Sequence, residues 1–136
     1  MGVDVREAAE RFARTWEAGW AHQNVDDIAE LYAAECVHRS MPFRPPHMGR
    51  TAVVDYIRWS FADEPAVEVR FGAPIVDGNR AVMEYRVTAV QAATERPLTL
   101  AGCAFVRFND DGLVIEVRDY WHVTEGHHEP SGALFL

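Results

Sequence analysis

Residues 100–121 read LAGCAFVRFNDDGLVIEVRDYW, and this stretch decides the fold. Two runs rich in β-branched and aromatic residues flank the turn NDDG at 109–112, where Gly112 supplies a positive φ. Such a pair reads as a long hairpin. In the second arm, Ile115, Val117 and Trp121 alternate with Glu116, Arg118, Tyr120 and His122, as in a half-buried strand. Asp119 falls on the apolar side of that alternation. A carboxylate in such a place needs a partner, a raised pKa or a chemical role.

The hairpin extends backward into more of the same. RAVMEYRVTAVQA and the run opening with VEVRFGAPIV are further strands, separated by the turn signals DGN at 77–79 and TERP at 94–97. Consecutive long strands joined by short turns form an antiparallel meander. The first half is helical instead. Val5, Ala9, Phe12, Trp16 and Trp20 recur at steps of three and four, with Asp4 placed to cap the helix. NVDDIAELYAAE predicts a second helix capped by Asn24, with Ile28, Leu31 and Tyr32 inward. A third is expected over about 51–62, burying Val53, Val54, Ile57 and Phe61. Between them, CVHRS can form a short strand before Pro42, Pro45 and Pro46 impose a loop. Helices followed by a meander make an α+β domain whose sheet curls over the helices.

At 136 residues the chain is expected to be one domain, 1–136, with its core at about 5–123 and a tail at 124–136. The net charge of −8 argues against nucleic acid or an anionic membrane surface as partner. No apolar run approaches the roughly 18 residues needed to cross a bilayer, and nothing at the N-terminus resembles a leader, so a cytoplasmic protein is expected. All 13 basic residues are arginine, which excludes lysine Schiff bases and P-loop lysines. Cys36 and Cys103 stand alone in apolar surroundings and are expected buried and reduced.

The order of elements, Trp16, ELYAAECVHRS, the PF dipeptide, Gly49 and above all LAGCAFVRFNDDGLVIEVRDYW resemble the SnoaL-like branch of the nuclear transport factor 2-like superfamily. The resemblance spans about residues 5–123. It implies a cone in which a curved antiparallel, partly mixed sheet wraps three N-terminal helices around a pocket, and a homodimer formed through the sheet. Polyketide cyclases of this type keep a pocket aspartate on the last strand as acid/base for an aldol closure, and counting from Gly112 that position is Asp119. Steroid isomerases offer a contrast. Ser40 and Met41 stand where their base aspartate would be, Ala104 where their second acid would be, and no tyrosine lies near Trp16. The paired aspartates of limonene epoxide hydrolases are not evident either.

Asp119 is accordingly the expected acid/base. His38, before the proline loop, could relay a proton with it, and whether His38 or its neighbour Arg39 faces inward stays open. Trp20, Met41, Phe43, Tyr56, Trp59 and Trp121 are candidates to line a site for a flat hydrophobic or aromatic small molecule, with Trp16 read as core. Glu84 is expected to pair with Arg107 or Arg118 on the outer face. His127 and His128 match no metal pattern and read as a solvated tail. The expected chemistry is cofactor-free and metal-free acid/base catalysis of a cyclase or isomerase type, the alternative being a non-catalytic ligand-binding or dimerisation module.

Overall fold

The structure, a computed structural model, describes residues 4–129. Helix α1 (Val5–Ala21) starts where the Asp4 carboxylate accepts hydrogen bonds from the amides of Arg6 and Glu7. Its inward stripe buries Ala9, Phe12 and Trp16. Helix α2 (Val25–Ala29) is capped by Asn24, whose side chain accepts from the amide of Asp27. It stops well short of the predicted end. Residues 32–35 belong instead to strand β1 (Tyr32–Ser40). Leu31 and Tyr32 are buried as expected. Tyr32 reaches the core from the strand and Leu31 from the turn before it, because β1 pairs with the last strand of the chain, and that pairing overrides the helical preference of an Ala- and Glu-containing segment.

After the proline loop come β2 (His47–Met48) and α3 (Arg50–Asp63), then β3 (Ala66–Phe71), β4 (Ile75–Asp77), β5 (Arg80–Val90), β6 (Pro97–Phe108) and β7 (Val114–Glu125). The sheet order is β2-β1-β7-β6-β5-β3, with β4 also on β5. The β5-β6-β7 meander is antiparallel, but β1 runs parallel to β7, so the sheet is mixed and unclosed. Among the described residues, no helix is long and apolar enough to cross a membrane.

The β6–β7 register slips between Arg107 and Phe108. Ile115 is the extra residue. Val114 therefore takes the fully buried position that simple alternation assigns to Ile115, and the phase resumes with Val117 and Asp119 inward. On the outer face, Arg39, Arg107 and Arg118 converge on Glu116 at 3.2, 3.5 and 3.4 Å, so Glu116 rather than Glu84 is the acid these arginines neutralise. Burial raises the Glu116 pKa, but the Arg39 hydrogen bond and the other guanidinium charges outweigh it and hold the carboxyl low. Cys36 is buried, whereas Cys103 is only half-buried, facing outward beside Tyr120.

The start of the tail is docked rather than solvated. Thr99 donates to the Gly126 carbonyl and accepts from the His128 amide, a His127 ring nitrogen meets the Ala89 carbonyl at 3.0 Å, and Glu129 pairs with the buried Arg86 at 3.2 Å. The apolar end of the tail, expected to dock on the body or a partner, lies outside the described residues. Two apolar clusters fill the cone. One joins the helices to the middle of the sheet; the other gathers Val69, Tyr85, Val87, Leu98 and Leu100 at the far strand ends, and Trp20 and Phe71 touch both.

Candidate functional site

A cavity of about 250 Å³ lies where these clusters meet. Its existence follows from side-chain size across three strands. In register, Tyr85, Gly102 and Trp121 form one row, and Met83, Ala104 and Asp119 the next. In these two rows the middle strand contributes only a hydrogen and a methyl, between Tyr85 and Trp121 in the first and beside Asp119 in the second, while Leu100 closes the wall further along. Gly102 cannot be enlarged: a Cβ there would collide with the Tyr120 carbonyl oxygen and sit 2.8 Å from the Trp121 Cα.

Asp119 projects into this space. Its Oδ1 accepts a 2.6 Å hydrogen bond from the Tyr85 hydroxyl. Burial raises its pKa from 3.8 to about 7, and the Tyr85 hydrogen bond only partly opposes that. Tyr85 is itself held between Phe71 and Trp20, at ring-centroid distances of 5.3 and 5.7 Å. Burial and then the Asp119 charge push its own pKa well up, so it remains a hydrogen-bond donor. None of the ion pairs among the described residues involves Asp119. The cavity's one arginine, Arg44, lies with its guanidinium 5.1 Å from the Trp121 ring centroid.

His38, not Arg39, faces inward. Its ring is buried on the cavity wall, in contact with Tyr56 and His47, while Arg39 reaches Glu116 outside. Burial, with a smaller push from His47, lowers the His38 pKa to about 3, so the ring is neutral. Among the described residues, its Nδ1 has no hydrogen-bond partner.

Of the aromatic candidates, Trp20, Tyr56, Trp59 and Trp121 line the cavity; Trp16, although core, also forms part of the wall. Met41 and Phe43 do not. At the end of β1 the chain turns at Met41, with φ of 69°, and straps Met41 against the rim of β7. Its amide donates to the Asp119 carbonyl at 2.9 Å, and its sulfur accepts from the Trp121 amide. Phe43, at the loop tip, is 99% exposed. Both are corrections to the sequence reading, and both arise because loop direction is not set by strand alternation.

Two site residues were missed. Tyr85 was readable, since Met83, Tyr85 and Val87 alternate within VMEYRV. Ser40 was not. Its hydroxyl accepts from Tyr56 at 2.9 Å and from the Trp121 indole at 3.3 Å, tying α3 to β7 through the end of β1. Only the parallel register that sets Ser40 beside Asp119 brings these groups together.

Residues 9–117 match the SnoaL-like domain family, which is more than half of the chain. The protein belongs to the SnoaL-like domain family. Three solved structures show the same fold in relatives too distant to convey activity. A protein from Bacillus subtilis provisionally named an isomerase is 22% identical, with 88% of this chain and 90% of that one covered at a TM-score of 0.76. A provisionally named polyketide cyclase from Xanthomonas campestris pv. campestris is 19% identical, with 88% and 93% covered and a TM-score of 0.69. A protein from Catenulispora acidiphila with a ketosteroid isomerase-like fold, in complex with trimethylamine, is 15% identical, with 80% and 83% covered and a TM-score of 0.68. No curated protein matches. The family match and the three structures agree on the fold, three helices against a curved, nuclear transport factor 2-like sheet.

Proposed function

We propose that this SnoaL-like protein is a cofactor-independent enzyme of the cyclase or isomerase type, with Asp119 as its single acid/base. The observation that supports this most is a carboxyl group held by one tyrosine in an aromatic cavity, with no ion-pair partner among the described residues. A purely structural acid gains from an arginine or from water. One kept near neutrality instead, with a pKa of about 7, is suited to taking and returning a proton. Tyr85 fixes Oδ1 and leaves Oδ2 for the substrate. His38, on the neighbouring strand β1, stays neutral with its pKa of about 3, so it can relay that proton but does not hold it. The cavity is at the low edge of ligand pockets, which run from roughly 300 to 1,000 Å³, so a one- or two-ring aromatic molecule fits better than an extended polycycle. Trp20, Tyr56, Trp59 and Trp121 would pack against its faces.

Asp119→Asn keeps the acceptor for Tyr85 but removes the titrating group. It should abolish turnover while leaving ligand affinity nearly unchanged and without lowering the melting temperature at neutral pH; full activity in that variant would end the proposal. A second reading, a non-catalytic binding or dimerisation module, draws on the outer sheet face. There Phe105 and Tyr120 meet edge to face and remain 47% and 41% exposed beside the Glu116 arginine cluster. A homodimer through this face is compatible with either role, and Tyr120→Glu should yield monomers by analytical ultracentrifugation if it forms.

A further inference from the structure

Buried polar atoms in folded chains nearly always have a hydrogen-bond partner, because leaving one dry costs free energy. Among the described residues, Trp16 Nε1, Tyr32 Oη and His38 Nδ1 have none. Trp16 and Tyr32 are close enough to serve each other, since the phenol oxygen can accept the indole hydrogen. His38 has no such neighbour. The Tyr56 hydroxyl is turned to Ser40, and the His47 ring stacks on Tyr56 at 4.1 Å. Yet His38 lines the cavity and is only 3% exposed.

Its two ring nitrogens differ. Nε2 makes no hydrogen bond among the described residues either, but it is not sealed as Nδ1 is, so it is the nitrogen turned to the cavity. Sealed N–H groups without an acceptor are rarer in folded chains than acceptors without a donor. Nδ1 therefore keeps a lone pair and Nε2 carries the hydrogen. Burial holds the ring neutral, with a pKa of about 3, so it offers the cavity one hydrogen and no charge. The group that meets it must be an acceptor, which excludes an ammonium. The parallel register sets His38 opposite Val117 and Ser40 opposite Asp119. His38 and Asp119 thus face the cavity from adjacent strands, two residues out of step. Strand spacing and rise put their Cα atoms about 8 Å apart, which lets one small ligand group meet both.

We infer that His38 is a hydrogen-bond donor to the substrate, its Nε2–H meeting a carbonyl oxygen while the carbon next to that carbonyl lies against Asp119. Proton abstraction then breaks a C–H bond, places the proton on Asp119 and moves the electron pair to the carbonyl oxygen. The imidazole N–H meets the charge that develops there. The substrate class is a small aromatic ketone with a hydrogen on its α-carbon. This rests on Asp119 being the acid/base proposed above.

The probes are 1-indanone and 1-methyleneindane, which share a shape and differ in the acceptor oxygen. Binding is read by tryptophan fluorescence and calorimetry at about pH 8.5, where Asp119, with its midpoint of about 7, has lost the proton it would otherwise donate to a ketone. The indanone-to-methyleneindane affinity ratio should fall about fivefold in His38→Phe and little in His38→Gln, whose amide still donates. In the wild type, nitrogen-15 NMR should show His38 as the Nε2–H tautomer, its ring N–H signal moving with indanone and not with methyleneindane. The signal is identified by its absence from His38→Gln. An unchanged ratio in His38→Phe overturns the inference and leaves the Asp119 reading standing. A wild-type ring protonated at Nδ1 also overturns it, and that measurement decides the matter if His38→Phe does not fold. If neither probe binds the wild type, the ligand site itself is refuted along with the donor.

Discussion

Asp119 and His38 tie stability to pH in opposite directions, and removing either should expose the other. Between about pH 4 and 7 the native state keeps a proton on Asp119 that the unfolded chain has lost, so this group's contribution to stability declines as pH rises. The slope is about 1.4 kcal/mol per pH unit, and the full shift from 3.8 to about 7 corresponds to about 4 kcal/mol. Water entering the partly open cavity reduces this, so about 2 kcal/mol is the realistic expectation. His38 works the other way. The unfolded chain takes up a proton below pH 6.5 while the native ring, with a pKa of about 3, does not, so stability is lost as pH falls through that range. Over their common range the two slopes oppose each other. Relative to wild type, Asp119→Asn should therefore gain about 2 kcal/mol on going from pH 4 to 8, and His38→Gln should gain a similar amount from pH 7 to 4. Urea unfolding followed by tryptophan fluorescence across this range measures both difference curves. Tyr32, Tyr56, Tyr85 and Cys103 all sense the Asp119 charge, but every one has its pKa pushed above an already alkaline value, so none titrates in the window. A flat difference curve for Asp119→Asn would mean that the carboxyl titrates as it does in water, and the acid/base argument would lose its basis.

The remaining predictions concern the groups that hold the site. Tyr85→Phe preserves the stacking between Phe71 and Trp20 but deletes the one hydrogen bond that lowers the Asp119 pKa; the Asp119 midpoint, read from the same difference curves, should move above about 7. Ser40→Ala leaves the Tyr56 hydroxyl and the Trp121 indole without their acceptor and should cost about 1–3 kcal/mol in urea unfolding. Gly102→Ala forces backbone of β7 outward at Trp121, with an expected loss of about 1–3 kcal/mol and a shifted tryptophan emission; wild-type stability there would contradict the close strand approach.

Much of this fold is visible in local pattern. The hairpin around Gly112 and the amphipathic α1 are each specified within one stretch of chain. What local pattern conceals is set by distant pairing. Residues 32–35 look helical, and only their partner strand some eighty residues later makes them sheet. The same pairing places Ser40 beside Asp119 and brings Arg39 to Glu116. Glu84 offers the opposite lesson. It drew attention as a charged strand residue, while its neighbour Tyr85, on the inward phase, carries the contact to Asp119. Phe43 and Met41 have the apolar chemistry of a pocket lining, but that chemistry does not fix the direction of a proline-bearing loop.

The position of Asp119 now has a physical account. An acid on the concave face would normally be neutralised or excluded, and this molecule has arginines close at hand. Arg118 and Arg39 are its neighbours along and across the sheet, yet strand alternation sends both to the convex side, where Glu116 engages them. The same alternation leaves Asp119 inward with Tyr85. Moving one arginine to the inner face would neutralise the carboxyl and lower its pKa. Holding Arg39 and Arg118 outside, with Glu116 as their anchor, thus does two things at once: it secures the sheet and leaves the cavity acid without an ion pair. Glu116→Gln should accordingly weaken the outer network while leaving the Asp119 midpoint near 7, because the two carboxylates lie on opposite faces of one strand. A shift of that midpoint by a full unit would show that the faces are not electrically separate, and that the cavity's chemistry depends on the convex side as well.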